Sequence, residues 1–362
     1  MTDISEKEII NLDDLAIYRR LDPQGMLQHI HNFPDMCRQA WQMALKYKLP
    51  DEYKNVKKIV VLGMGGSAIG GDLVASLAIN ESAIPILVCR DYNLPQYVDE
   101  NTLVIASSYS GATEETLSAF ERSFNTRALK LAITTGGRLT DICKSKGVPV
   151  IAFSYKAQPR AALPYSFFIL LGVLHNLGFL SLKNTEVEEA LAVLDKTNLA
   201  NGEKVALKHN PAKALAQKLF DRLPIIYGAG ITAEVAHRWK SQINENSKVT
   251  CFYEIFSELN HNAIVGYRFP EEVLSKSMVV MLDSNLLHER VRLRYDITKE
   301  LLEKAGIYYQ ILNGEGNSAL AQMLSLVLIG DYVSLYLAML NQADPTEIKN
   351  IEYLKNTLAQ ST

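Results

Sequence analysis

Cysteine is scarce in this sequence, and the few cysteines that occur have no paired spacing. Cys37, Cys89, Cys143 and Cys251 are scattered over 362 residues. Isolated thiols of this kind are typical of core positions in a reducing compartment, so we expect a cytoplasmic protein without disulfide bonds. The seven histidines include no HExxH motif, and we therefore expect no metal and no cofactor.

A strong excess of charge of one sign is also lacking. The formal net charge is −3, and Lys and Arg form no block along the chain. This balance argues against nucleic acid or an anionic membrane as the main partner. The longest apolar runs, at residues 167–180 and 324–340, are interrupted by polar side chains such as His175 and Asp331. Both runs therefore indicate core helices rather than membrane spans.

The order of apolar and helical segments predicts two α/β domains. A chain of 362 residues, 48% of them hydrophobic, is long enough for two well-formed cores. A helical region at residues 12–46, broken at Pro23 and Pro34, precedes a series of short apolar runs. These runs lie at residues 58–62, 85–88, 102–106, 130–134 and 148–153. Because helical patterns separate them, they predict a parallel, doubly wound sheet.

The second half of the chain repeats this plan. Further apolar runs lie at residues 224–227, 277–282 and 307–312, and each leads through a Gly- or Ser-containing turn into a helical pattern. An internal duplication is the natural interpretation. We expect a helical extension plus one domain in residues 1–190 and a second domain in residues 191–362. Each domain is expected to be a doubly wound parallel sheet of five strands flanked by helices.

The most informative motif is the Ser- and Thr-rich turn at residues 107–116, between a predicted strand and a predicted helix. Free backbone N–H groups at the helix N-terminus, together with the hydroxyls of Ser108, Ser110 and Thr113, would form an anion site. The turn has no Lys and no Walker pattern, so a small phosphomonoester fits better than a nucleoside triphosphate. The competing interpretation is an ordinary N-cap by Ser110 or Thr113, although capping alone needs only one hydroxyl.

A second glycine-rich turn admits a nucleotide-binding alternative. Residues 63–68 match the G-x-G-x-x-A pattern after a predicted strand, and Asp91 follows the next strand. That arrangement is compatible with a Rossmann-type NAD site and an oxidoreductase. A dinucleotide site has no need of the Ser-rich turn, however, and the duplication leaves no separate substrate domain. The phosphomonoester interpretation is therefore favoured.

Taken together, four segments of this chain resemble the sugar isomerase (SIS) domain family. They are residues 63–71 (GMGGSAIGG), 108–113 (SYSGAT), 243–246 (INEN) with 258–262 (ELNHN), and 344–346 (DPT) with Leu354 and Lys355. The first two mark SIS domains in general. The last two are similar to the bifunctional phosphoglucose/phosphomannose isomerases of archaea and some bacteria. The resemblance covers nearly the whole chain, from about residue 30 onward.

The resemblance implies metal-independent isomerisation of glucose 6-phosphate or mannose 6-phosphate to fructose 6-phosphate through a cis-enediol. It implies Glu245 as the base, Arg160 facing the enediolate, and His261 and Lys355 as the ring-opening residues. The residues implied for substrate binding are Gly66, Ser67, Ser108, Ser110, Thr113 and Thr346. Relatives in this family are dimers, so the resemblance also implies a homodimer in which His261 is supplied across the interface.

An alternative from another class is a SIS-type sugar-phosphate sensor without turnover. Regulators of that kind usually carry a helix-turn-helix module, and no basic recognition helix is visible in this sequence. The joint presence of Glu245 and His261 favours the enzyme. For an arbitrary sequence Glu245 would be interpreted as a solvated surface residue, and Lys355 as one of several lysines on a C-terminal helix. The resemblance is what reverses those interpretations.

Overall fold

The computed structural model describes residues 10–360, and its N-terminal sheet has five parallel strands in the order β2-β1-β3-β4-β5. They are β1 (Lys58–Leu62), β2 (Ile86–Cys89), β3 (Thr102–Ser108), β4 (Leu129–Thr134) and β5 (Val150–Ala152). Strand β3 is buried along its whole length, as expected for a central parallel strand covered by helices on both faces. The doubly wound sheet predicted for the first half is confirmed.

From residue 10 onward, seven α-helices belong to this half of the chain. They are α1 (Ala16–Leu21), α2 (Met26–His31), α3 (Phe33–Lys46), α4 (Gly65–Ala78), α5 (Glu114–Ser123), α6 (Gly137–Lys146) and α7 (Leu163–Asn176). Pro23 lies between α1 and α2, as predicted for a helix break. Pro34 instead occupies the first turn of α3, where the N–H that proline lacks would have no helical partner.

The C-terminal sheet has four parallel strands in the order β7-β6-β8-β9. They are β6 (Leu223–Gly228), β7 (Phe252–Ile255), β8 (Ser277–Asp283) and β9 (Tyr308–Asn313). Its helices are α8 (Asn184–Asn201), α9 (Pro211–Leu219), α10 (Ala233–Ser247), α11 (Glu271–Lys276), α12 (Glu289–Lys304), α13 (Ala319–Leu340) and α14 (Lys349–Ala359). The strand order matches that of β2-β1-β3-β4, so the internal duplication is confirmed.

The prediction of five strands in the second sheet is wrong. After β9 the chain passes through a short turn directly into α13, and up to residue 360 no segment forms a counterpart of β5. Strand β9 is therefore an edge strand, and Tyr308 on it is 55% exposed. Strand β7, which the apolar runs did not reveal, takes the place that β2 holds in the first sheet.

Helix α13 is the central element of the second half. It is long and apolar enough to cross a membrane, but 94% of its most hydrophobic window is buried inside the protein, as predicted for a core helix. Gly330 on α13 allows the close approach of α10, because a Cβ there would lie 2.2 Å from Nε1 of Trp239. The same Nε1 donates a hydrogen bond to the Leu326 carbonyl at 2.8 Å.

The two halves meet along α4 and α10, the helices that follow the first strand of each sheet. The hydroxyl of Ser76 on α4 donates to the carbonyl of Gly230, just before α10, at 3.0 Å. Helix α8 packs against both α3 and α13, so the predicted boundary at residue 190 falls inside a helix that contacts both halves. The division of the chain at that residue stays a prediction.

Candidate active site

Arg160 joins the two halves at the candidate site. It lies in a 3₁₀ turn (Pro159–Ala162) before α7 and is 4% exposed. Its Nε donates to Oδ1 of Asn246 at 2.7 Å, and its Nη1 donates to Oε2 of Glu245 at 3.2 Å. Its Nη2 donates to the carbonyls of Pro345 and Thr346 at 2.5 and 3.3 Å. One guanidinium therefore holds the end of α10 and the loop before α14 together.

In the Arg160–Glu245 pair, the arginine is buried and the glutamate is partly exposed to solvent. The side chain of Arg160 is 4% exposed, whereas that of Glu245 is 30% exposed. Burial lowers the pKa of Arg160, and the Glu245 carboxylate opposes this shift by favouring the charged guanidinium. A ligand can therefore reach the carboxylate while the cation beside it stays shielded from water.

Polar contacts with α13 fix the buried face of α10. Nη2 of Arg238 and Nε2 of Gln242 donate to the two carboxylate oxygens of Asp331 at 2.7 and 2.9 Å. Nδ2 of Asn246 donates to the Ser334 hydroxyl at 2.9 Å. Burial raises the pKa of Asp331, and Arg238 counteracts this shift. Asp331, which interrupts the apolar run at residues 324–340, thus anchors α10, the helix that carries Glu245.

Gly66 and Ser67, at the start of α4, connect Arg160 to the Ser-rich turn. A Cβ on Gly66 would lie 2.9 Å from the Pro159 carbonyl oxygen, so only glycine allows α4 to approach this backbone so closely. The hydroxyl of Ser67 accepts a hydrogen bond from the Tyr109 N–H at 3.3 Å. The two predicted binding motifs are therefore neighbours, although they lie far apart in the sequence.

The hydroxyls of the Ser-rich turn do not cap α5. The Ser108 and Thr113 hydroxyls share a hydrogen bond of 2.9 Å, and Ser108 Oγ also accepts from the Gly111 N–H at 3.1 Å. Ser110 Oγ accepts from the Ala112 N–H at 3.2 Å. No side chain accepts a hydrogen bond from the first N–H groups of α5 in the described part of the chain. These groups are therefore available to an anion, which the N-cap alternative does not explain.

A cleft of about 120 Å³ lies between α4 and α10 beside Arg160. Gly66 lines one wall, and His237, Ser241 and Glu245 line the other. These three residues are spaced four apart, so they share one face of α10. The Ser-rich turn lies behind Gly66 through the Ser67–Tyr109 contact. The lining of the cleft thus combines the Glu245 carboxylate with the buried Arg160 guanidinium, and two further arginines, Arg90 and Arg238, belong to it.

Most of the predicted site residues belong to this region, but two do not. His261 ends a 3₁₀ turn (Glu258–His261) after β7 and is exposed. Lys355 lies on α14, all of whose residues are exposed. Within residues 10–360 of a single chain, neither side chain forms a hydrogen bond or ion pair with the residues of the cleft.

Three potential metal ligands, which the sequence did not reveal, lie at the rim of the cleft. Ligand atoms of Asp72, Glu234 and His237 are all within 4.8 Å of one another. Asp72 lies far from the other two residues in the sequence, and the packing of α4 on α10 brings it beside them. Asp72 also forms a salt bridge with Arg90, and Nδ1 of His237 lies 3.1 Å from the Glu234 carboxylate. Asp72 is thus paired with Arg90, while Glu234 and His237 are paired with each other.

The histidines at positions 29 and 31 are two residues apart in the sequence but have separate partners. Nδ1 of His29 contacts the hydroxyl of Tyr155, and Nε2 of His31 lies 2.9 Å from the carboxylate of Glu203. Because each ring nitrogen has its own partner on a different element, the pair does not form a shared ligand site.

Known proteins resemble this chain over most of its length. Residues 208–358 match the family described as the bacterial phospho-glucose isomerase C-terminal SIS domain. A bifunctional phosphoglucose/phosphomannose isomerase from Caldicellulosiruptor bescii is 44% identical over 336 residues, which cover 92% of this chain and 99% of that protein. A protein of the same name from Aquifex aeolicus is 39% identical over 303 residues, which cover 83% of this chain and 90% of that protein.

A solved structure shows the same fold at low sequence identity. The crystal structure of a hypothetical protein from Thermus thermophilus matches with a TM-score of 0.73 at 16% identity. The match covers 96% of this chain and 94% of that one. The resemblance drawn from the four sequence segments is therefore confirmed at the level of both family and fold.

Proposed function

Because the chain belongs to the bifunctional phosphoglucose/phosphomannose isomerase family, we propose that it interconverts glucose 6-phosphate and mannose 6-phosphate with fructose 6-phosphate. It is an aldose–ketose isomerase. The observation that carries the proposal for this chain is the 3.2 Å contact between Arg160 and Glu245 at the end of an open cleft. A base beside a fixed cation is what proton transfer through an enediolate requires.

In the proposed mechanism Glu245 moves one proton between two carbons of the open-chain substrate. The carboxylate takes the proton from C2 of the aldose and returns it to C1, and the hydroxyl and carbonyl exchange places through the cis-enediol. Arg160 stabilises the negative charge that develops on the oxygens. Its remaining hydrogen bonds, to Asn246 and to the Pro345 carbonyl, hold the guanidinium in place so that little reorganisation accompanies the reaction.

The substrate phosphate is proposed to bind at the Ser-rich turn. Ser108, Ser110 and Thr113 supply hydroxyls there, and the first N–H groups of α5 have no side-chain cap. Gly66 and Ser67 would contact the sugar hydroxyls from the start of α4. The turn is joined to the cleft wall at the start of α4 by the hydrogen bond from the Tyr109 N–H to the Ser67 hydroxyl.

Thr346 is proposed to contact the substrate near C2 or C3. Its Oγ1 is buried and has no hydrogen-bond partner in the described part of the chain. A buried hydroxyl without a partner is costly, and a substrate hydroxyl would satisfy it.

Ring opening is assigned to His261 and Lys355 in a homodimer, with His261 supplied by the neighbouring subunit. The exposure of both residues in a single chain supports this proposal. Apolar side chains beside them are exposed as well: Val265 is 81% exposed near His261, and Leu354 is 56% exposed beside Lys355. Exposed apolar patches of this kind are typical of protein–protein interfaces.

The proposed compartment is the cytoplasm. Cys37, Cys89, Cys143 and Cys251 are all free thiols, as expected in a reducing environment. Neither cofactor nor metal has a step in the proposed mechanism.

Incubation with fructose 6-phosphate in deuterated water tests the reaction and its stereochemistry together. We expect both glucose 6-phosphate and mannose 6-phosphate, each carrying deuterium at C2, because the base exchanges its proton with solvent. A protein that binds fructose 6-phosphate but forms no aldose would be a sensor, and the proposed function would be wrong. Aldose that stays free of deuterium at C2 after repeated turnover would exclude an exchangeable base.

A further inference from the structure

The last turn of α10 is held by a residue to which the proposed mechanism assigns no role. Helix α10 ends at Ser247, and Lys248 follows it with φ = +58°. A non-glycine residue in this left-handed region is uncommon and persists where the surroundings favour it. Nζ of Lys248 donates to the carbonyls of Glu245 at 2.7 Å and Asn246 at 3.4 Å. These are carbonyls that the end of a helix leaves without partners.

The same ammonium reaches a segment far along the chain. Nζ of Lys248 donates to the Asp344 carbonyl at 2.7 Å. Arg160 holds the next two carbonyls, those of Pro345 and Thr346. Two cations therefore hold three successive carbonyls of the loop 344–346. An ordinary helix cap would need only the contacts with the end of α10.

The loop 344–346 carries one residue of the proposed site and leads to another. Thr346 lies in it with its hydroxyl, which has no partner among residues 10–360, and α14 with Lys355 begins three residues beyond it. The Thr346 N–H donates to Oδ1 of Asp344 at 2.7 Å, which closes the turn on itself. A displacement of this turn relative to α10 would therefore change the position of Thr346 relative to Glu245.

We propose that Lys248 is a positioning residue for the isomerisation, which ties the turn of α10 that carries Glu245 to the loop that carries Thr346. The proposal rests on the proposed role of Glu245 as the base. Lys248 itself does not touch the reacting atoms. Its role is to hold the base and the loop at one spacing, and small displacements of reacting groups are enough to slow a reaction strongly.

The test compares three variants of the full-length protein. Lys248→Met keeps the aliphatic stem and removes the ammonium, whereas Lys248→Arg keeps a cationic donor. Lys218→Met is the matched control, since Lys218 is an exposed lysine on α9 whose Nζ donates to Gln310 Oε1 at 3.0 Å, away from the cleft. Steady-state kinetics with fructose 6-phosphate, inhibition by inorganic phosphate, and thermal unfolding are measured for each.

We expect Lys248→Met to lower kcat by about ten- to a hundredfold while KM and phosphate inhibition change less than about threefold. Lys248→Arg should recover most of the lost kcat, and Lys218→Met should match the wild type. Phosphate inhibition should persist because the Ser-rich turn does not contact Lys248. If Lys248→Met keeps at least half of the wild-type kcat, or if KM and phosphate inhibition deteriorate along with kcat, the positioning role is wrong.

Two further outcomes keep this test separate from the proposed function. If Lys248→Met does not fold, Lys248→Gln replaces it, and the proposal then requires kcat to fall in the order Lys, Arg, Gln. Any other order would overturn the proposal. An inactive wild-type protein would instead contradict the isomerase function itself, whereas an active wild type with an equally active Lys248→Met variant would contradict only the positioning role.

Discussion

The Arg160 guanidinium donates to the Glu245 carboxylate at 3.2 Å although 85 positions separate them in the sequence. Arg160 follows the last strand of the first sheet, and Glu245 lies on α10, which follows the first strand of the second sheet. The pair therefore forms only when the two duplicated halves pack together. Proton transfer and charge stabilisation are thus assigned to different halves of the chain.

Glu245→Gln is expected to lower turnover by about 10²–10⁴-fold, because the amide cannot accept a proton from carbon. KM should change little, since the amide is nearly isosteric and can still bond to Arg160. Steady-state kinetics measure both constants. Glu100→Gln, at an exposed position outside the cleft, is the control and should behave like the wild type. A Glu245→Gln variant with more than about a tenth of wild-type turnover would show that another residue is the base.

Ser110→Ala and Thr113→Ala are expected to weaken binding of substrate and of inorganic phosphate together, by about tenfold or more each. Each variant removes a hydrogen bond to a charged group at the N-terminus of α5. The measurements are KM and the inhibition constant of phosphate. Ser145→Ala on the exposed face of α6 serves as control. Phosphate inhibition that is unchanged in both variants would show that the anion binds elsewhere.

Activity is expected to survive exhaustive chelation, because no step of the proposed mechanism uses a metal. The rim residues Asp72, Glu234 and His237 make this a real test, since their ligand atoms lie close enough for one ion. The activity of the dialysed, chelator-treated protein is compared with that of the untreated protein. If chelation abolished activity, added zinc restored it in the wild type, and zinc failed to restore it in Asp72→Asn, an ion at this rim would take part in the reaction.

Mixed dimers are expected to regain activity if His261 crosses the subunit interface. Glu245→Gln and His261→Ala dimers should each be inactive. After unfolding and reassembly together in equal amounts, about half of the dimers would be mixed, and each would have one intact site. About a quarter of wild-type activity should therefore return. An inactive mixture, despite demonstrated subunit exchange, would show that His261 acts within its own chain or not at all.

The stability of the wild type relative to Lys248→Arg is expected to rise with pH toward 10.5, the ordinary pKa of lysine. Desolvation and the nearby Arg160 lower the pKa of Lys248, although Asp344, Glu347 and Glu245 oppose the shift. Between the lowered pKa and the ordinary one the unfolded chain binds more protons than the folded one, so the free energy of unfolding increases with pH. Below that pH window, the difference in the free energy of unfolding between the two proteins does not change with pH. Urea unfolding from about pH 7 upward through this window measures the difference, and a constant difference would contradict the shift.

Much of the fold could be predicted from local patterns in the sequence. The β-branched runs and glycine turns indicated eight of the strands, because a buried parallel strand must be apolar throughout. Strand β7 escaped notice because it is a short edge strand with Phe252 exposed and Glu254 within it. The count of five strands in the second sheet was wrong for a related reason. A fifth strand was expected in the second half only by analogy with the first half. Up to residue 360, no segment after β9 forms such a strand.

Eight of the strands, the Ser-rich turn and the core role of α13 follow from the amino-acid sequence alone, because these features depend on residues close together along the chain. Which side chains meet depends instead on how the helices pack in three dimensions. Packing of α4 on α10 created the Asp72–Glu234–His237 group, and the buried guanidinium of Arg160 brought Glu245 to the loop 344–346. Such contacts join residues far apart in sequence, and no local pattern encodes them. They arise from burial, since a buried charge must find partners wherever the fold presents them.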